Sequence, residues 1–168
     1  MPKIIENLEN RLVEEARKQV MEQGYAAVTI RSVAKACGVG VGTVYNYFPS
    51  KDALLARYML GDWKMCTTVI EAVSNYSDQP MPVLRCIYDQ LTLFVAQHES
   101  IVLDESAAAS FSGSFSRYHA LLREQLSKPL RKFTDSDFLA DFLAEAMITW
   151  TTAGNTFQEI WGVIEKLF

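Results

Sequence analysis

TIRSVAKACGVGVGTVYNYFPSKDAL, residues 29–54, reads as two short helices joined by a glycine-punctuated turn, with a further helix starting behind them. Thr29 is of the N-cap type, its hydroxyl free to accept a backbone N–H one turn in. Val33, Ala34 and Cys37 follow at helical spacing and face inward. Gly38 stands where a left-handed C-cap is wanted, and Val39 plugs the turn into the core. The next helix runs from about Val41 to Phe48 and ends at Pro49, which cannot continue the hydrogen-bond ladder. Ser50 caps what comes after. This is the layout of a helix-turn-helix, a device for carrying side chains into the major groove of DNA.

Outward from that stretch the period stays helical. Upstream, Ile5, Leu8, Leu12, Ala16 and Val20 recur in steps of three and four, with Val13 and Met21 widening the stripe, until Gly24 stops the helix. Downstream, a long helix spans about 50–74, with Gly61 as a soft point, and breaks at 75–79. Pro80 and Pro82 suit the first turn of the next helix, whose apolar face is Leu84, Ile87, Tyr88, Leu91, Phe94 and Val95. The small, polar run Glu105–Ser116 predicts a frayed helix end and a loop. Another helix carries Tyr118, Leu121, Leu122 and Leu126, and Pro129 bends or ends it.

The last two helices are apolar over wide arcs: Phe138, Leu139, Phe142, Leu143, Ala146, Met147 and Trp150, then Phe157, Ile160, Trp161, Ile164, Leu167 and Phe168. A chain of this size has little core left to cover both, and exposed apolar area on that scale marks an interface. Phe142, Met147, Trp150, Phe157, Ile160, Trp161 and Ile164 are therefore expected at a seam between two copies. A closed monomeric bundle is the competing arrangement. The fold class expected is all-α: a three-helix DNA-binding head over residues 1–50, then a helical ligand-binding and dimerisation domain over 51–168, with the helix of about 50–74 linking the two.

Composition narrows the function. The net charge of −4 and pI near 5.2 argue against indiscriminate coating of nucleic acid. Residues 1–57 carry eight Lys/Arg against six Asp/Glu, and residues 58–168 eight against fourteen, so a net of +2 precedes a net of −6. That split fits a local DNA footprint on an acidic body. No apolar run reaches the roughly 20 residues of a membrane helix, and acids stand where a signal peptide would be apolar, so a cytoplasmic protein is expected. Cys37, Cys66 and Cys86 are odd in number, well separated and set in apolar helical context, the pattern of buried free thiols. His98 and His119 lack partners at ligand spacing, so no metal is expected. No cofactor is indicated, nor any nucleophile–base pair of an enzyme. Gly38-x-Gly40-x-Gly42 follows a helix rather than a strand and has the wrong spacing for a dinucleotide loop.

Thr29, Val33-Ala34, Ala36, Gly38-Val39, Gly42-Thr43-Val44-Tyr45, Tyr47-Phe48, Ser50-Lys51-Asp52 and Leu54 together resemble the signature of the TetR family of bacterial transcription regulators. The resemblance runs from the first helix into the fourth. It is specific for the DNA-binding head and says little of the ligand.

Physical chemistry assigns parts to the same residues. Gly40 and Gly42 let the backbone approach DNA; Thr43 and Tyr45 offer hydroxyls to phosphates; Tyr45 and Tyr47 pack on sugars. Asn46 suits a base edge and Val41 a thymine methyl. Lys51, at a helix start, suits a phosphate. In the family the position of Arg31 often reaches a base, so Arg31 is the first choice for direct readout, of guanine. The family usually has serine or a similar polar residue where this chain has Gly40, and one phosphate contact is then missing.

The resemblance implies a homodimeric repressor on a palindromic operator. Its heads would lie about 34–36 Å apart, one helical turn. A small molecule would release it by tilting the fourth helix. Candidate effector contacts are Trp63, Tyr88, Phe94, His98, Phe115, Tyr118, Met147 and Trp150, residue types that core and pocket share. With few cations among them, a neutral or cationic apolar effector is expected. The runner-up is a DNA-bound adaptor whose effector is another protein.

Overall fold

The computed structural model describes residues 7–102 and 104–168, and the side chains of all of these but 106 and 108–117. Described residues form helices and no strand. They are α1 (Leu8–Gln23), α2 (Ile30–Cys37), α3 (Val41–Tyr45), α4 (Lys51–Tyr76), α5 (Pro80–Gln97), α6 (Glu99–Val102), α7 (Glu105–Leu130), α8 (Asp137–Thr152) and α9 (Phe157–Ile164). The chain divides into two compact units. The first takes everything up to Asp62 together with His98–Ser112; the second takes Trp63–Gln97 and Gly113–Phe168.

The first unit is built on the spacing of α1. Leu12, Ala16 and Val20 point inward and meet Val33 and Ala34 of α2, Val44 and Phe48 at α3, and Leu54, Leu55 and Tyr58 of α4. Ile101 of α6 and Ala107 of α7 join the same core, and α6 packs on α1. Each valine, leucine, isoleucine or phenylalanine side chain there contributes about 1.5–3 kcal/mol on burial, an alanine less. Met21, expected on the stripe, is exposed: the arc that α1 buries is narrower than its apolar arc. Ile5 lies outside the described residues.

A buried polar group sits in this unit beside that core. The His98 ring is enclosed, with Nε2 3.2 Å from Asp62 Oδ2. The Arg17 guanidinium lies 3.9 Å from Asp62 Oδ1 and over the Tyr58 ring. Burial, then the Asp62 carboxylate, pushes the Tyr58 phenol above its ordinary pKa.

The second unit packs α5 against α8 and α9. Leu84, Ile87 and Leu91 of α5 meet Leu126 and Leu130 of α7, Leu143 and Met147 of α8, and Phe157, Ile160 and Ile164 of α9. Trp63 and Ile70 carry α4 into this core. The end of α4 is tied down by polar bonds: Ser74 Oγ donates to the Pro129 carbonyl at 3.3 Å, and Lys132 Nζ donates to the carbonyls of Ser74 and Ser77. A cation on terminal carbonyls suits the negative end of the helix dipole.

Two further expectations are corrected. The third helix is shorter than Val41–Phe48, since regular turns stop at Tyr45. The Tyr47 and Phe48 amides both donate to the Val44 carbonyl, a tightened last turn that buries Phe48 before Pro49. The segment Glu105–Ser116 is helix, not a loop. Its alanines are the strongest helix formers, and Asp104 Oδ1 caps the start by accepting the Ala107 amide at 3.0 Å. Low hydrophobicity had concealed helix propensity there.

Candidate nucleic-acid interface

Local sequence fixes the start and stop of α2. Thr29 Oγ1 accepts the Ser32 amide at 2.9 Å while Ser32 Oγ accepts the Thr29 amide at 3.1 Å, a reciprocal capping box. At the other end Gly38 takes φ 70°, ψ 30°, a left-handed conformation that favours glycine. The Val39 amide then reaches back to the Ala34 carbonyl at 3.0 Å, and Val39 packs on the core. Arg11 Nη2 donates to the Cys37 carbonyl at 3.3 Å, a further cation at a helix C-terminus. Burial, with Glu15 nearby, raises the Cys37 thiol pKa despite Arg11, which keeps it protonated.

The turn delivers α3 with Val44 buried and its other side out. Val41, Tyr45 and Tyr47 are 37%, 52% and 46% exposed, Gly42 and Asn46 are exposed, and Thr43 is half-buried. A Cβ at Gly42 would meet nothing of this chain within 4 Å, so the glycine is not there to relieve internal crowding. Arg31, on the first turn of α2, is exposed as well, and forms no ion pair among the described residues. Arg17 and Arg57, by contrast, are engaged with Asp62 and Glu9.

Lys51, expected to meet a phosphate, is already engaged within the chain. Its Nζ donates to the Tyr25 carbonyl at 3.1 Å and lies 3.6 Å from the centre of the Tyr25 ring. The Tyr25 hydroxyl in turn donates to Asp52 Oδ1 at 2.6 Å, and Ser50 Oγ accepts the Ala53 amide at 3.0 Å. The start of α4 is thereby fastened to the turn after α1. The ammonium keeps further N–H groups for an anion. Nothing in the spacing of Tyr25 and Lys51 announces this pair, because it joins positions 26 apart.

In the second unit four of the residues proposed to contact an effector, Trp63, Tyr88, Phe94 and Met147, share one hydrophobic core. Trp63 is buried, donates from Nε1 to Gln125 Oε1 at 2.6 Å and meets Phe94 edge-on. Tyr88 packs on Phe157, Met147 is wholly buried, Tyr118 is half-buried and Trp150 is exposed. His98 belongs to the first unit, and Phe115 lies outside the described side chains. His119 Nε2 is 2.9 Å from both oxygens of Glu145, which also accepts from Thr149 and lies near Arg123. The His119 hydrogen bond leads in holding the Glu145 carboxyl below its usual range. No group of side chains suited to a metal occurs among the described residues.

Of the seven seam residues, Met147, Phe157, Ile160 and Ile164 pack in the core of this unit, Trp161 is half-buried, and Phe142 and Trp150 are exposed. An open groove of about 280 Å³ between α8 and α9 is lined by Phe142, Ala146, Trp150, Ile160, Val163, Ile164 and Leu167, with Asn155 and Glu159 at its polar edge. Val163 is 67% exposed and escaped the sequence reading, although it falls one helical turn after Ile160.

Residues 12–58 match the family described as bacterial regulatory proteins, tetR family. The HTH-type transcriptional repressor KstR of Rhodococcus jostii is 26% identical over 156 residues, 85% of this chain and 71% of KstR. The HTH-type regulator YuxN of Bacillus subtilis is 29% identical over 97 residues, 56% of this chain. The matches to YuxN, HbdR and UidR span 32%, 24% and 26% of those proteins, a third of their length or less. Among solved structures, the TetR family repressor AlkX of a Dietzia species shares the fold with a TM-score of 0.67 at 17% identity, over 94% of this chain and 93% of AlkX.

Proposed function

We propose that this chain, whose amino-terminal head matches the tetR family of bacterial regulatory proteins over residues 12–58, is a ligand-responsive repressor of that family that binds a palindromic operator as a homodimer. The observation that carries the reading is the α2–α3 pair, with Val44 and Phe48 pinned in the core while Arg31, Val41, Tyr45, Asn46 and Tyr47 are exposed. A short helix held by its buried side and open at its N-terminal end is what major-groove readout needs. Arg31 takes the base edge, Asn46 and Val41 the bases beside α3, and Thr43, Tyr45, Tyr47 and Lys51 the backbone.

Dimerisation is supported by the α8–α9 groove, whose apolar lining a second copy would cover. Regulation is supported by α4. It is one continuous helix of 26 residues, about 39 Å long, anchored at one end by Ser50 and Asp52 and at the other by Lys132. An effector that biases the second unit would move the heads through it. A coupling of about 1–3 kcal/mol would give roughly 5–150-fold release.

The test begins with selection from a randomised duplex library. A two-fold symmetric motif should be enriched, and fluorescence anisotropy should show Arg31→Ala weakening that duplex by about 1–3 kcal/mol and relaxing one position. Enrichment of no motif defeats the reading. A motif bound only with a cellular protein present would turn it toward an adaptor.

A further inference from the structure

Gln19 is the polar exception among the residues that α1 turns inward. It is 7% exposed, next to buried Val20 and one turn beyond Ala16. Its Oε1 accepts the Ser32 hydroxyl at 2.6 Å, and its Nε2 donates to Glu15 Oε1 at 2.8 Å. An aliphatic residue would fill this place without the desolvation that an amide suffers.

Ser32 is the residue that closes the Thr29 capping box. The bonds of that box lie within residues 29–32, so they decide where α2 begins and nothing about how its first turn is rotated. The Gln19–Ser32 bond joins the box to a different helix, and Glu15 holds the Gln19 amide so that its oxygen faces Ser32. Arg31 precedes Ser32 on that turn. We propose that Gln19 is a positioning residue for sequence readout: through Ser32 it sets the rotation of the first turn of α2, and with it the approach of Arg31 to its base. The proposal rests on the reading of Arg31 as a base contact. Bidentate guanidinium recognition is strict in angle, whereas phosphate attraction tolerates displacement. Loosening the anchor therefore removes discrimination and spares general DNA binding.

The probes are the duplex that the wild-type protein selects from the randomised library and a scrambled duplex of equal length, with the full chain throughout. Gln19→Met keeps the volume and removes both bonds; Ser32→Ala removes the Gln19–Ser32 bond from the other side, together with the bond from the Thr29 amide, and serves should the first variant fold poorly in a thermal melt. Each should lower the ratio of selected to scrambled affinity about 2- to 10-fold, the worth of one such hydrogen bond, with scrambled binding unchanged. In an Arg31→Ala background neither should lower the ratio further. The paired exchange Glu15→Gln with Gln19→Glu, which keeps an acceptor for Ser32 and a donor opposite, should restore it. Equal weakening of both duplexes, or a loss that adds in full to that of Arg31→Ala, overturns the proposal and leaves the Arg31 contact standing. If Arg31→Ala alone changes nothing, the base-contact reading falls and this inference with it.

Discussion

Lys51 shows how one side chain can serve two masters at the residue scale. Its position at the start of α4 suits a phosphate, yet its ammonium already donates to the Tyr25 carbonyl and rests on the Tyr25 ring. Lys51→Ala should weaken binding to all duplexes alike and reduce the slope of log affinity against log salt by about 1. It should also lower the thermal midpoint, because the lost cation–π contact is worth about 0.5–1 kcal/mol. A lower midpoint with an unchanged salt slope would assign Lys51 to the head's stability alone. Glu145 offers a second test. Its folded pKa is depressed, chiefly by His119. Its contribution is therefore present above the ordinary carboxylate range and is lost as pH falls through the depressed value. In urea melts from about pH 6 to pH 3, Glu145→Gln should show a shallower acid-side loss of stability than wild type. Parallel curves would show that the His119 contact contributes nothing on folding. The pair is partly exposed, so the difference is small.

Among the elements, α2 and α4 respond oppositely to one substitution. Gly38 holds φ 70° at the end of α2, where a side chain strains the backbone. Gly38→Ala should cost about 1–2 kcal/mol and blur the turn that presents α3. Gly61 lies inside α4 with open space around its absent Cβ. Gly61→Ala should stabilise by about 0.5–1 kcal/mol. Chemical denaturation of the two variants checks both signs, and a destabilised Gly61→Ala would mean that α4 is not regular there. The contrast comes from backbone geometry: Gly38 holds a positive φ and Gly61 does not.

At the scale of the whole molecule the outstanding feature is the apolar face left on α8 and α9. Phe138, Phe142, Trp150 and Val163 are all exposed. Val163→Asp places a charge on that face without entering the core. Sedimentation should then give monomers with wild-type helicity, and the selected duplex should bind far more weakly because the two heads no longer act together. Ile164→Asp, one residue on, should instead unfold the unit, since Ile164 is buried. A Val163→Asp protein that remains dimeric would put the seam elsewhere.

The sequence by itself determined the head. Thr29, Gly38, Pro49 and Ser50 act on their own neighbours through caps, a left-handed turn and a missing N–H, and such local chemistry is legible in a string of letters. It also determined that the described residues are helical and that the last two helices are apolar over wide arcs. The helix over the Ser/Ala-rich segment was obscured because hydrophobic period and helix propensity disagree there. Only the tertiary structure decided which half of the α8–α9 residues is core and which is surface, because two wide apolar arcs can be covered in more than one way. It alone joined Gln19 to Ser32, Tyr25 to Lys51 and His98 to Asp62. Those pairs link positions 13 to 36 residues apart, and a contact at such a distance exists only once helices have packed and brought the two side chains into reach.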